Sequence, residues 1–222
     1  MSDAVLSGGV RRSATICVFD KDDQLMLKAK TGDWFVTNPQ RGRSNNSAML
    51  IRDQLTREEW AMIMQSVKDF GEPGFIFSDS TEYLFNPCVE IGMKPITEDG
   101  DSGFQFCNLT EINGGQCTTR ANFERACTAA AILGTLQVGY TNFKYLTPAS
   151  KRITEREALL GVSITGWMNN PDVLFDVQNM QDGATLVRTV NKVVAKLIGV
   201  NQAARCTAVK PSGNASVILG TA

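Results

Sequence analysis

The chain contains no histidine. That absence excludes a Ser-His-Asp triad, a Cys-His dyad and an HExxH zinc site built from this chain alone. Acid–base work falls instead to carboxylates, thiols, lysines or tyrosines. No two of the 6 cysteines (Cys17, Cys88, Cys107, Cys117, Cys127 and Cys206) form a CxxC pair, so a structural zinc site lacks its knuckles as well as its histidines, and no metal ligands are assigned. A disulfide framework belongs to an oxidising compartment and usually to a smaller domain, so reduced thiols, some of them reactive, are the plain expectation. No apolar run approaches the roughly 18 residues that cross a bilayer, and no membrane partner is expected. Gly8, Gly9, Arg11 and Arg12 stand where a signal peptide carries its apolar stretch, which favours a cytoplasmic protein. A bias of charge is missing too. With 22 basic against 23 acidic residues, no global field steers the chain to nucleic acid.

What is present is a 222-residue chain, 43% hydrophobic and 20% charged, enough to bury a core in one large or two small domains. Disordered, collagen-like and coiled-coil chains are excluded on composition. Residues 14–19 and 24–28 read as short strands around a turn at Lys21, Asp22 and Asp23. Thr56 and Glu59 form a T-x-x-E capping box, and Trp60, Ile63, Met64, Val67 and Phe70 keep a helical period until Gly71 and Pro73. Residues 75–78 read as a buried strand. A second helix runs from Thr119 to about Gly139, and a third over roughly 183–198 with Gly199 as its stop. Between them Gly161–Gly166 is β-branched and bounded by glycines, which predicts a buried strand. Residues 205–210 and 216–219 read as two more strands around a turn at 211–214. Strands interleaved with amphipathic helices predict an α/β architecture with a largely parallel sheet. The chain begins near a Gly-Gly turn and ends on an apolar segment, which suggests a piece of something longer.

Several segments carry candidate chemistry. In Asn86-Pro87-Cys88-Val89-Glu90 the proline excludes a helix. In an extended segment an amide, a thiol and a carboxylate at i, i+2 and i+4 share a face and can converge on one small ligand. Equally, Cys88 fits a buried small hydrophobe, Asn86 a turn former and Glu90 a solvated charge. Cys107, in Phe106-Cys107-Asn108-Leu109-Thr110-Glu111, could return to face Cys88 across a pocket, or sit in a strand as packing. In Lys210-Pro211-Ser212-Gly213-Asn214-Ala215-Ser216, small residues leave backbone N–H groups open to cradle a phosphate, although GxxxxGK[ST] is absent; an ordinary tight turn fits as well. Gly8-Gly9-Val10-Arg11-Arg12 suits either a mobile nucleotide-contacting loop or a solvated turn.

Taken together, GGVRRSA, SNNS at 44–47, NPCVE, FCNL, LLGVSITG and KPSGNAS, in this order, closely resemble the catalytic subunit of ribonucleotide reductase, and most of all its monomeric, adenosylcobalamin-dependent class. The resemblance spans about residues 5–222. It implies one catalytic domain over 1–222, incomplete at both ends, with the family's ten-stranded α/β barrel and a finger loop carrying Cys88. It implies that Cys88 becomes a thiyl radical and abstracts the 3′ hydrogen of the ribose. Glu90 matches the general base on the 3′ hydroxyl, and Asn86 the amide that orients the sugar. Cys107 matches one of two cysteines that supply the reducing electrons and end as a disulfide. Its family partner lies upstream of GGVRRSA, outside this chain. Pro211, Ser212, Gly213, Asn214, Ala215 and Ser216 match the substrate phosphate loop. Gly8, Gly9, Arg11 and Arg12 match the specificity loop that couples a deoxynucleotide effector to the choice of base. Asn45 and Asn46 fall near the substrate.

The implied substrate is a ribonucleoside di- or triphosphate, the cofactor adenosylcobalamin, and the external reductant of the thioredoxin type. A separate metal-containing subunit is an alternative radical source. A glycyl-radical enzyme shares the barrel but lacks counterparts of FCNL and GGVRRSA, and a nucleotide-binding piece without catalysis is the non-enzymatic alternative.

Overall fold

A computed structural model describes residues 14–221, so Gly8, Gly9, Arg11 and Arg12 lie outside the described residues. The chain divides into two compact units, one ending at Met93 and the other starting at Lys94.

In the first unit the elements run β1 (Ile16–Asp20), α1 (Gln24–Leu27), α2 (Trp34–Thr37), β2 (Asn45–Ile51), α3 (Arg57–Phe70), β3 (Gly74–Ser78), β4 (Leu84–Phe85) and β5 (Gly92–Met93). β1, β2 and β3 form a parallel sheet in that order, with Ala48 opposite both Phe19 and Phe75. Parallel strands need covered faces. Phe19, Leu27, Ala48, Leu50 and Ile63 form the core, with Trp60, Met64 and Val67 of α3 packed against it. The capping box closes as expected: Thr56 N donates to Glu59 Oε2 at 2.8 Å and Glu59 N to Thr56 Oγ1 at 3.2 Å. Gly71 ends α3 at φ 74°, a conformation only glycine adopts without strain.

Residues 24–28, expected as a strand, form helix α1 instead. The Asp23 carboxylate accepts from Leu25 N and Met26 N, so the acidic pair read as a hairpin turn supplies an N-cap. β2 was not expected at all, because its polar start hides five buried residues from Asn46 to Leu50.

In the second unit the order is β6 (Asn108–Asn113), α4 (Arg120–Val138), α5 (Pro148–Glu157), β7 (Leu160–Thr165), α6 (Pro171–Leu174), α7 (Val177–Ile198) and α8 (Asn214–Leu219). β6 and β7 pair in parallel, with Leu109 opposite Gly161 and Glu111 opposite Ser163. Ile112, Leu160 and Val162 join Phe123, Cys127 and Val187 in the core beneath α4 and α7. The two helices approach closely because Gly183 has no side chain: an added Cβ would lie 2.6 Å from the Phe123 ring. α7 starts earlier than its apolar period suggests, since Asp176 caps it through Asn179 N at 2.7 Å.

Two expected strands are corrected here. Within 205–210, Thr207 makes one parallel bridge to Val162 and no strand forms. Residues 214–219 are helix α8, so the 211–214 turn does not join two strands. A four-residue apolar run does not distinguish strand from helix. The α/β class is as expected, with parallel pairing in β1–β2–β3 and β6–β7 and antiparallel pairing of β4 with β5. α5 was not expected, and β3, expected to be buried, exposes Phe75 and Phe77 on one face. Among the described residues no helix is long and apolar enough to cross a membrane.

Candidate functional site

β4 and β5 are two residues each, and the turn between them holds Asn86, Cys88 and Glu90. Asn86 organises it. Its Nδ2 donates to Glu90 Oε2 at 2.6 Å, its Oδ1 accepts from Ile91 N at 2.9 Å, and its carbonyl accepts from Val89 N at 2.8 Å. Amide and carboxylate therefore meet, but by a turn and not along an extended strand. Val89 sits at φ 66°, which breaks the i, i+2, i+4 alternation expected of the segment. For a β-branched residue that conformation is strained, and such strain persists where surrounding bonds enforce it. Cys88 lies at the exposed tip, one residue before the strained position. Cys88 is therefore exposed rather than buried here, while Asn86 is the turn former that the plainer reading of the segment gave it.

The tip is also tied to the parallel sheet. Asn45, the first residue of β2, donates from Nδ2 to Pro87 O at 2.7 Å. Asn46 is buried at 6% exposure, and its Oδ1 accepts from Ser44 Oγ at 3.0 Å. Period-two alternation puts the two asparagines on opposite faces. Behind Ser44, buried Lys30 donates to Ser44 O and to Glu72 Oε1, each at 2.5 Å.

In the second unit Cys107 immediately precedes β6 and is half-buried. Alternation places Cys107, Leu109, Glu111 and Asn113 in one row, opposite the face that carries Ile112 into the core. Gly161 across the pair leaves room for that row. An added Cβ would lie 3.2 Å from Cys107 Sγ and closer still to Leu109 Cδ2. The 211–213 turn and the first turn of α8 make up the 211–216 segment, which is fastened on one flank to β7 and on the other to β6. Lys210 N donates to Ser163 Oγ at 3.3 Å, and Asn113 Nδ2 donates to Leu219 O at 3.0 Å. Lys210 Nζ stands 3.6 Å from Glu111 Oε2. Within the loop, Ser216 Oγ donates to Gly213 O at 2.8 Å, while Ser212 Oγ is buried without a partner among the described residues.

The remaining thiols separate by environment. Cys117, Cys127 and Cys206 are buried, and desolvation pushes all three thiols up, Cys127 to about 12. Such thiols are inert packing groups. Cys17 is exposed on β1. Glu111, Asn113 and Ser163, which stand around the candidate site, were not singled out from the sequence. The alternation of Cys107, Leu109, Glu111 and Asn113 was the available signal for the first two.

These two α/β units are similar in fold to part of the catalytic chain of ribonucleotide reductases. Over 93% of the chain it superposes on a crystal structure of a B12-dependent (class II) ribonucleotide reductase with a TM-score of 0.70 at 18% identity, covering 33% of that chain. The alpha subunit of a class Id ribonucleotide reductase from Actinobacillus ureae gives a TM-score of 0.60 at 17% identity, with 92% of this chain and 47% of that one covered.

In sequence the chain is similar to the adenosylcobalamin-dependent ribonucleoside-triphosphate reductases. It is 22% identical to that of Euglena gracilis and 24% identical to that of Lactobacillus acidophilus, over 97% of its own length in each case. It spans 30% and 33% of those two proteins, about a third of their length. No family model matches the chain.

Proposed function

We propose that this chain carries the radical turn, one reducing cysteine and the substrate phosphate loop of a ribonucleotide reductase that makes 2′-deoxyribonucleotides for DNA synthesis. The observation that carries the proposal is the turn at 86–91, where Asn86 holds the Glu90 carboxylate at 2.6 Å beside an exposed Cys88. In this reading the turn is the tip of a finger loop, and both units belong to one ten-stranded barrel domain.

A thiyl radical at Cys88 takes the hydrogen atom from C3′ of the ribose, leaving Cys88 as a thiol and the radical on the sugar. Glu90 accepts the proton of the 3′ hydroxyl while the 2′ hydroxyl takes a proton from one of the reducing thiols and leaves as water. Glu90 then returns its proton to the 3′ oxygen, and Asn86 fixes the carboxylate that does so. Cys107 and a partner thiol supply two electrons and two protons. The dithiol becomes a disulfide, the 2′ carbon gains hydrogen, and Cys88 returns its hydrogen atom to C3′. A thioredoxin-type dithiol then reduces the disulfide. Pro211 to Ser216 receive the phosphates of a ribonucleoside di- or triphosphate, and Gly8, Gly9, Arg11 and Arg12 read a deoxynucleotide effector. Asn45 lies at the substrate side through its bond to the Pro87 carbonyl, with Asn46 behind it. We place the enzyme in the cytoplasm.

Adenosylcobalamin is the proposed cofactor, and it supplies the initiating radical when bound. The exposed Cys88 thiol fits a donor that approaches from outside the turn. With no histidine in the chain, such a cofactor takes no imidazole ligand from it.

The test is deoxynucleotide formation from each ribonucleotide, with and without adenosylcobalamin, for the wild type, Cys88→Ser and Glu90→Gln. Cobalamin-dependent product that Cys88→Ser abolishes supports both reaction and cofactor. Product that requires an added metal-containing subunit overturns the cofactor alone. A folded, nucleotide-binding protein that gives no product under either condition overturns the reaction.

A further inference from the structure

We infer that Lys210 is the cation that receives the phosphate chain of a nucleotide at the 211–216 loop, and that Glu111 is its positioning residue. The inference deepens the proposed function, since neither residue belongs to the loop assigned there. Lys210 is fastened across both strands, with its backbone N on Ser163 of β7 and its ammonium reaching Glu111 of β6. Its side chain is only 15% exposed and that of Glu111 14%.

At 3.6 Å the pair lies beyond hydrogen-bond length, so the charges face each other without a direct bond. Of the three ammonium donors, one reaches Pro211 O at 3.1 Å. Two nearby groups are unspent. Ser212 Oγ and Glu111 Oε1 are both buried with no partner among the described residues. Buried polar atoms are nearly always paired, and the exceptions gather where a ligand or water sits. A hydroxyl donor and a point-charge ammonium beside Gly213 and Ala215, which are too small to block approach, suit a tetrahedral polyanion. Lysine binds phosphate in this manner, as a charge with rotatable donors.

Glu111 opposes the anion while it places the cation. Its carboxylate cancels the ammonium and repels a phosphate that comes to the same spot. The two substitutions must therefore act in opposite directions. Lys210→Met removes the attraction, whereas Glu111→Gln keeps the side-chain shape and removes the repulsion. A merely structural ion pair gives the same sign for both.

The experiment is calorimetric titration of the full chain with inorganic tripolyphosphate at low salt. We expect Lys210→Met to bind about tenfold more weakly or worse, the loss of one charge-assisted bond. Lys210→Arg should stay within about threefold of wild type, and Glu111→Gln should bind about threefold more tightly. Mass-spectrometric acetylation of wild-type Lys210, protected by tripolyphosphate, gives an answer even where a variant does not fold. Unchanged binding in Lys210→Met, a parallel loss in Lys210→Met and Glu111→Gln, or absent protection overturns the inference. Tripolyphosphate binding with this pattern, but without ribonucleotide reduction, removes the reductase reading and keeps the anion seat. Reduction with the same KM in all three variants removes the seat and keeps the reductase.

Discussion

Replacing Lys30 by methionine removes one charge from the first unit, with the two hydrogen bonds that its ammonium makes, and keeps the packing of the stem. The lysine is 7% exposed, its ammonium bonds Glu72 Oε1 and Ser44 O at 2.5 Å each, and it stands 5.8 Å from the Trp34 ring centre. Methionine keeps a stem of similar volume, so packing contributes little to the change. Removing one partner of a buried pair costs about 3–5 kcal/mol, because the other charge stays behind. Glu72 is 25% exposed, so water partly re-solvates it and the expected loss falls to about 2–3 kcal/mol. Glu72 Oε2 already lacks a partner among the described residues, which keeps the figure from falling further.

Urea unfolding of wild type, Lys30→Met, Glu72→Gln and the double variant measures this. The double variant should be less damaged than the sum of the singles by about 1 kcal/mol or more, since it strands no charge. The same loss should reach the 86–91 turn, because Ser44 precedes the Asn45 that bonds Pro87, and alkylation of Cys88 should quicken. A Lys30→Met loss below about 0.5 kcal/mol, or additive singles, would refute the account of the pair.

Three further outcomes follow from the site. Gly161→Ala should cost about 1–3 kcal/mol, because the new methyl meets Leu109 Cδ2 and, at 3.2 Å, Cys107 Sγ; thermal unfolding and the alkylation rate of Cys107 read it out. Val89→Gly should relieve the strain at φ 66° yet add loop entropy, leaving global stability within about 1 kcal/mol while any reductase activity falls; unchanged kcat would show that the turn needs no fixed shape. Native-state iodoacetamide labelling at pH 8 should modify Cys17 and Cys88 and spare Cys117, Cys127 and Cys206. Because the folded Cys127 thiol sits at about 12 against an ordinary 9.0, the unfolded chain loses its proton first. Stability is therefore full below pH 9 and falls as pH rises towards 12, by up to about 1.4 kcal/mol per pH unit from this thiol. A flat stability profile across that window would contradict the burial argument.

Local signals were legible. The Thr56 box, the Gly71 and Gly199 stops and the β-branched run of β7 depend on neighbours in sequence, and each appears where expected. Short apolar runs were not, because QLML and SVIL suit either period until a cap decides, and Asp23 decided the first. The Asn86–Cys88–Glu90 grouping was legible as a motif, and Asn86 as a turn former, but the shape of the turn was not, since Val89 gives no hint that it takes a left-handed conformation. Partners far apart along the chain, such as Asn45 with Pro87 or Glu111 with Lys210, leave no periodic trace. They depend on the register of β2 and on which face of β6 turns from the core.

The brevity of β4 and β5 sets how the thiol is held over time. A ladder two residues deep cannot sustain itself, and three side-chain bonds from Asn45 and Asn86 supply the rest. Such a turn opens on its own, at a small fraction of the free energy needed to separate β1, β2 and β3. In hydrogen exchange the amides of Val89 and Ile91 should report a shallow, independent opening, while those of Ala48 and Leu50 follow global unfolding. A sulfur mounted this way is guarded by a clock rather than a wall: its lifetime in place is the lifetime of three hydrogen bonds.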